Sequence, residues 1–294
     1  MLVAVIASLL LAGAARAQVP RVRLAAPASC PLNVNCIPGL KRVYRVDPSG
    51  SLVRLRVADA GVQALDDGIA EVAVVFTSNP QLSRPDIVAL RDDRRMVTAD
   101  HVVPVVRSSL LRAYGPVLRE PFDEASRLLS TLRLRGLNQL VIDGRLPEAV
   151  GGEFVEANGL ADGSARRRGP RIVVGFMDFA ENETLAYMYA EVLRAGGYRV
   201  TVRSVRGLRP QAVALIRRDR IDLYPAYDGS LLRYLVGTSR QRLAAGLRPT
   251  LARIDAEPMR LSRAQNRNVF VTKTDTAARL GLARISDLAR YWGG

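Results

Sequence analysis

Residues able to do chemistry are few in this 294-residue chain. His101 is the single histidine, and Cys30 and Cys36 are the only cysteines. No nucleophile can be matched with a histidine and an acid, and there is no H-E-x-x-H, P-loop or G-x-G-x-x-G segment. Catalysis is therefore not expected, and neither a cofactor nor a bound metal. Carboxylates and aromatics offer more. Asp178-Phe179-Ala180-Glu181 lies between a strand-like and a helix-like run. There D-x-x-E reads equally as a capping box, with Asp178 accepting from the N3 amide and Glu181 reaching back, or as a set of ligand contacts. Glu183 adds another acid at the same helix start, where acids also complement the helix dipole. Asp222-Leu-Tyr224-Pro-Ala-Tyr227 ends a second strand-like run. Aromatic faces beside a carboxylate attract a cation that cannot donate hydrogen bonds; packing of tyrosine beside proline is the competing reading.

The elements that must position these residues alternate short β-branched runs with helical stretches, the pattern of an α/β fold. Strands are expected at Glu71–Phe76, Asp86–Leu90, His101–Val106, Arg171–Phe176, Tyr198–Val202, Ile221–Tyr224 and Val269–Thr272. Helices are expected at Pro121–Arg133, Pro147–Glu156, Glu183–Ala195, Pro210–Arg217, Ser230–Val236 and Arg240–Ile254. From Glu183 onward, Leu185, Met188, Tyr189, Val192 and Leu193 recur at the three-and-four spacing of one buried face, until Gly196-Gly197 ends the helix. A polar, small-residue stretch closed by Gly169-Pro170 reads as the one internal linker, at 161–170.

At the N-terminus, the apolar run Leu2–Leu11 followed by Ala15-Arg16-Ala17 reads as a signal peptide over residues 1–17, which predicts export to an extracytoplasmic compartment. No cysteine stands where a lipoprotein signal needs one. In an oxidising compartment Cys30 and Cys36 read as a small loop-closing bridge; two separate buried thiols are the other reading. The net charge is +15, from 43 basic and 28 acidic residues. All the basic residues but Lys41 and Lys273 are arginine, and they are spread along the whole chain. Such evenness reads as coding bias rather than a nucleic-acid face, so no nucleic-acid partner is expected.

Three further segments carry a resemblance: Ile172-Val-Val-Gly-Phe-Met-Asp178-Phe179-Ala-Glu181, Tyr189-Ala-Glu-Val-Leu-Arg-Ala-Gly-Gly-Tyr198, and Asp222-Leu-Tyr224-Pro-Ala-Tyr227-Asp-Gly229-Ser230. They resemble the opening half of the glycine betaine/choline (quaternary-amine) substrate-binding proteins of ABC importers. The likeness continues through Asn266-Arg-Asn268-Val-Phe270 to Ile285-Ser-Asp-Leu288. The family's second half is similar to segments that come earlier here: Cys36-Ile-Pro-Gly-Leu40, Asp67-Gly68-Ile-Ala-Glu-Val72, Phe76-Thr77-Ser78-Asn79, and Pro104-Val-Val-Arg107. The order implies a circular permutation, with the linker at 161–170 joining the family's usual C- and N-termini.

The resemblance implies a two-lobed periplasmic-binding-protein fold (type II-like). One lobe would be continuous over 82–262 and the other assembled from 18–81 and 263–294. It implies a monomer that binds a betaine, choline or related amine by lobe closure, for osmoprotection, and hands it to the transmembrane permease of an ABC importer. A stand-alone ligand-sensing receptor of the same fold is the alternative. Tyr224 and Tyr227 match the family's cage tyrosines, with Asp178, Phe179, Glu181, Glu183 and Asp222 around them. Thr77, Ser78, Asn79 and Asn268 are neutral donors and acceptors facing them from the other lobe. The chain departs from the family where Glu183 replaces a further cage tyrosine and where Asp100 and His101 replace aromatics. His101 reads as structural or as a contact. These departures suit an amino-acid-like amine with N–H donors, or a less tightly caged cation.

Overall fold

Two five-stranded sheets organise the chain, which the computed structural model describes over residues 21–56, 60–160, 171–237 and 246–293. The expected signal peptide and linker lie outside the described residues. The first sheet takes β1 (Leu24–Pro27), β2 (Leu52–Leu55), β3 (Val72–Phe76) and β4 (Ile87–Ala89). The second takes β5 (Val102–Arg107), β6 (Ile172–Phe176), β7 (Val200–Ser204), β8 (Leu223–Tyr227) and β9 (Ala256–Pro258). The chain then returns to the first sheet with β10 (Asn268–Lys273). The orders are β2-β1-β3-β10-β4 and β7-β6-β8-β5-β9. Strands β1, β2 and β3 are mutually parallel, as are β6, β7 and β8; β10 and β5 run antiparallel to β3 and β8.

Alternation along each strand explains the layers. In the first sheet Leu24, Ala26, Val72, Val74 and Phe270 enter one core, while Ala25, Ala73, Val75 and Val271 enter another on the opposite face. The second sheet has a single larger core built around Tyr189, Tyr224, Phe122 and the valines of β5. Within it the helices Pro147–Ala157 and Ala180–Ala195 approach so closely that a Cβ on Gly151 would lie 2.6 Å from the Met188 amide nitrogen. No helix among the described residues is long and apolar enough to cross a membrane.

The sheets correct the expected lobe borders. β4 pairs antiparallel with β10, Val271 opposite Ala89, so residues 82–91 belong to the discontinuous lobe and its border falls near Asp100 rather than at 82. Likewise, Arg263 and Ala264 still pair with the continuous lobe, through Ser130 and Leu129. The sequence also missed β1, β2 and β9. The expected helix Pro121–Arg133 resolves into two, Pro116–Leu128 and Thr131–Ile142, the second started by Ser130, whose hydroxyl accepts from the Arg133 amide at 3.2 Å. Cys30 and Cys36 are disulfide-bonded, their Cα atoms 5.3 Å apart.

Two crossings join the lobes, and they run side by side. His101 bridges Gln265, and the Asn266 amide donates to the Asp100 carbonyl at 2.9 Å. The His101 ring lies 3.0 Å from the Ser262 carbonyl through Nδ1. Because a carbonyl can only accept, Nδ1 carries the proton. Asp100 is buried beneath the crossing and accepts from the Ser230 amide at 2.8 Å; that burial raises its pKa.

Candidate functional site

In open α/β sheets ligands bind outside the carboxyl ends of the parallel strands. Here β6, β7 and β8 end at Phe176, Ser204 and Tyr227, and the antiparallel β5 begins beside Tyr227. On the other lobe β3 ends at Phe76, with the start of β10 and the end of β4 alongside. Both edges meet at the paired crossings, so the crossings hinge a cleft between them.

At the hinge end of that cleft Glu181 gathers donors. Its Oε1 accepts from the Tyr227 hydroxyl and from Asn266 Nδ2, each at 2.6 Å, and its Oε2 accepts from Asn138 Nδ2 at 2.6 Å. Tyr227 ends a strand, Asn266 lies on a crossing and Asn138 sits on the Thr131–Ile142 helix. One buried carboxylate thus ties three elements together. Burial and the neighbouring Glu181 carboxylate push the Tyr227 phenol well above its ordinary pKa, so it remains a donor. Phe179 stacks on Tyr227, ring centroids 6.3 Å apart and planes at 26°. Asn138 also donates to the Ser78 carbonyl at 3.0 Å, and Arg135, one turn earlier, donates through Nε to the Thr77 carbonyl at 2.7 Å. These two bonds cross from one lobe to the other.

The discontinuous lobe contributes a cavity of about 540 Å³ at its cleft edge, where Thr77, Asn268, Arg267 and Leu90 are among the lining residues. The Thr77 hydroxyl donates to the Gln265 carbonyl at 2.8 Å and accepts from the Arg267 amide at 3.1 Å, which fixes the start of β10.

The sequence profile of the substrate-binding domain of ABC-type glycine betaine transport systems matches residues 33–157 and 170–293. The chain belongs to that family. No curated protein matches it. Among solved structures, the phosphate-binding protein of a phosphate ABC transporter from Streptococcus pneumoniae TIGR4 aligns at 8% identity, over 94% of this chain and 96% of that one, with a TM-score of 0.48. An ancestral arginine-binding protein bound to arginine aligns at 10% identity over 92% and 90%, TM-score 0.38. The GluR0 ligand-binding core in complex with L-glutamate aligns at 12% identity over 94% and 99%, TM-score 0.40.

Within this glycine betaine-type binding domain, the residues singled out in the sequence separate into groups. Phe179, Glu181 and Tyr227 come together, with Thr77 and Ser78 joined to them through Arg135 and Asn138. Thr77 and Asn268 line the cavity. Asp178 is exposed at the cleft edge and accepts a hydrogen bond from Ser204. Glu183, half-buried nearby, has its pKa raised by desolvation and by the Asp178 charge. Of the two readings of Asp178-Phe179-Ala180-Glu181, the capping box is not formed: Phe179 is the N-cap residue, without a side-chain cap, while Asp178 turns to Ser204 and Glu181 to the hub. Asn79 accepts from the Gln81 amide at 2.9 Å and caps the short turn Pro80–Ser83. His101 belongs to the hinge.

Two expected cage residues are corrected. Asp222 precedes β8 at the end remote from the cleft, five residues and about 17 Å from Tyr227 at strand spacing. It binds Arg107 at 2.5 Å and the Val173 amide at 2.8 Å. Tyr224 is three residues from Tyr227, hence on the opposite face of the strand, and is fully buried in the core. Sequence reasoning did not single out Asn138, Asn266 and Arg267 as site residues. For Asn266 and Arg267 the available signal was the family-like segment Asn266-Arg-Asn268.

Proposed function

We propose that this chain is the extracytoplasmic solute-binding component of an ABC importer, taking a small polar osmolyte of the betaine or choline kind between its lobes without altering it. The carrying observation is the cleft itself: two sheets turn their carboxyl strand edges toward each other across two paired crossings, the arrangement suited to capture by hinge closure. Candidate contacts are Asp178, Phe179 and Glu183 from the continuous lobe and Thr77 and Asn268 from the other. Ser78, Asn79, His101, Glu181 and Tyr227 build the wall behind them. With Asp222 and Tyr224 removed from the cleft, the aromatic cage reduces to the Phe179–Tyr227 stack. That favours a ligand held by hydrogen bonds and charge over one enclosed by rings.

Binding to the folded state alone stabilises it, by about 2.7 kcal/mol at a hundredfold excess over Kd. A thermal-shift screen of glycine betaine, choline, carnitine, proline betaine, ergothioneine and amino acids is expected to give at least one saturable rise in Tm. A rise with phosphate esters or nucleic acid, and none with any of these solutes, would overturn the proposal.

A further inference from the structure

The even spread of arginine along the chain breaks down in one place. Residues 194–220 hold eight arginines and a single acid, Asp219, a net +7 of the chain's +15. The fold gathers most of the exposed ones, together with Arg171, at the amino ends of β6, β7 and β8, away from the cleft. Arg171 and Arg199 directly precede the paired residues Ile172 and Val200, and the Ile172 amide donates to the Arg199 carbonyl at 2.8 Å. Neighbouring strands lie about 4.8 Å apart, so these two arginines stand side by side. Arg203, on the edge strand β7, donates through Nη2 to the Arg220 carbonyl. Arg217 and Arg218 close the helix Arg209–Arg217, and a tight turn, in which the Arg220 amide donates to the Leu215 carbonyl at 2.9 Å, returns the chain to β8. Arg171, Arg199, Arg203, Arg217, Arg218 and Arg220 are all exposed.

The acids within reach are spent elsewhere. Between residues 192 and 227 only Asp219 and Asp222 are acidic, and both bind Arg107, at 3.0 and 2.5 Å. Among the described residues Arg171, Arg203, Arg217, Arg218 and Arg220 form no ion pair with a carboxylate, whereas Arg23, Arg84 and Arg107 each do. Like charges gathered this way repel one another, and an extended anionic partner relieves the repulsion. Faces for single-stranded nucleic acid interleave such charges with stacking aromatics. The one aromatic in residues 194–220, Tyr198, is buried.

We propose that this end of the continuous lobe docks on an anionic lipid surface, its guanidinium groups meeting the phosphodiesters of the headgroups. A guanidinium binds phosphate oxygens two at a time and keeps its charge at any working pH. The cleft opens at the carboxyl ends of the same three strands, so the docked protein keeps its cleft turned from the bilayer and open to solute. The proposal goes beyond solute binding. It takes from that reading only the extracytoplasmic setting, where a membrane is the extended anion at hand.

The test is co-sedimentation of the purified protein with phosphatidylcholine vesicles, plain or containing phosphatidylglycerol as about a quarter of the lipid. Binding is expected to the anionic vesicles alone, and to fall as sodium chloride rises from about 0.05 to about 0.5 M, because salt screens exposed charges. Arg171→Gln, Arg217→Gln and Arg218→Gln together are expected to weaken it about a hundredfold, each arginine near such a surface being worth about fivefold. The matching triple change to lysine keeps the charge and should keep most of the binding. Arg42→Gln, Arg54→Gln and Arg279→Gln together remove as much charge from exposed positions of the other lobe, and should leave binding within about threefold. Equal losses in the two glutamine triples, or no binding to the anionic vesicles, would overturn the proposal. Tighter binding to a single-stranded oligonucleotide than to the vesicles at the same salt would also overturn it, and would give the face to nucleic acid. None of these outcomes touches the thermal-shift screen, so solute binding stands or falls separately.

Discussion

Tyr227 and Asp222 stand five residues apart and do different work. Tyr227 is almost wholly buried and donates to Glu181, so Tyr227→Ala is expected to lower stability by about 3 kcal/mol, the usual cost of truncating a buried aromatic, and not merely to weaken a ligand. Glu181→Ala leaves Tyr227, Asn138 and Asn266 facing a void. A loss of about 3 kcal/mol in urea unfolding is expected, since each stranded buried donor costs about 1 kcal/mol or more. Asp222→Ala breaks a largely buried ion pair; because Arg107 keeps Asp219 at 3.0 Å, the expected loss is about 3 kcal/mol, at the low end for such pairs. Ligand affinity of the Asp222 variant, measured calorimetrically on the folded fraction, is expected to be that of the wild type. A large drop in affinity with unchanged stability would return Asp222 to the cleft. In the sequence, D-L-Y-P-A-Y marks a strand but not which of its ends faces ligand. The spacing of three between the tyrosines was the available sign that only one could face the hub.

Strands and helices rich in β-branched or periodic apolar residues were legible, and most lie within two residues of where they were expected. β1 was not, because Leu24-Ala-Ala-Pro27 contains no β-branched residue. β4 was placed correctly but assigned to the wrong lobe, since its partner β10 lies about 180 residues onward and no local pattern encodes that pairing. That corner is also held by charge. Asp66 receives Arg84 at 2.7 Å and Lys273 at 3.1 Å, which hold its carboxyl down to about 2. A carboxyl depressed in the folded state contributes stability that is full above the ordinary value near 4 and is lost as pH falls through about 2. Tm against pH should therefore show Asp66→Asn below the wild type at pH 5 and converging with it near pH 2. Coincident curves at pH 5 would make these bonds idle. The disulfide closes so short a loop that Cys30→Ser with Cys36→Ser is expected to cost only about 2 kcal/mol.

At the scale of the whole chain, the family likeness and the lobe connectivity support the proposal that the order is circularly permuted. Trp292 donates through Nε1 to the Val22 carbonyl at 2.8 Å and its own carbonyl accepts from the Asp47 amide at 2.9 Å, so residues near the two ends of the described chain touch. A rearranged chain running from Arg171 to Gly293, then through a short linker into Arg21–Leu160, is expected to fold and bind as the natural order does. The same chain begun again at Cys36 should not fold, because it lacks β1, whose Leu24, Ala25 and Ala26 are fully buried between β2 and β3. Failure of the first rearrangement would count against the permutation. The bonds from Arg135 to Thr77 and from Asn138 to Ser78 carry one more consequence. They stitch the lobes beside the crossings, so the rotation axis of any opening must run close to them. Displacement then grows with distance from that line. Spin labels at Asn79 and Arg133 should report one narrow separation with or without solute, while labels at Arg95 and Arg206, on the two rims, should report two.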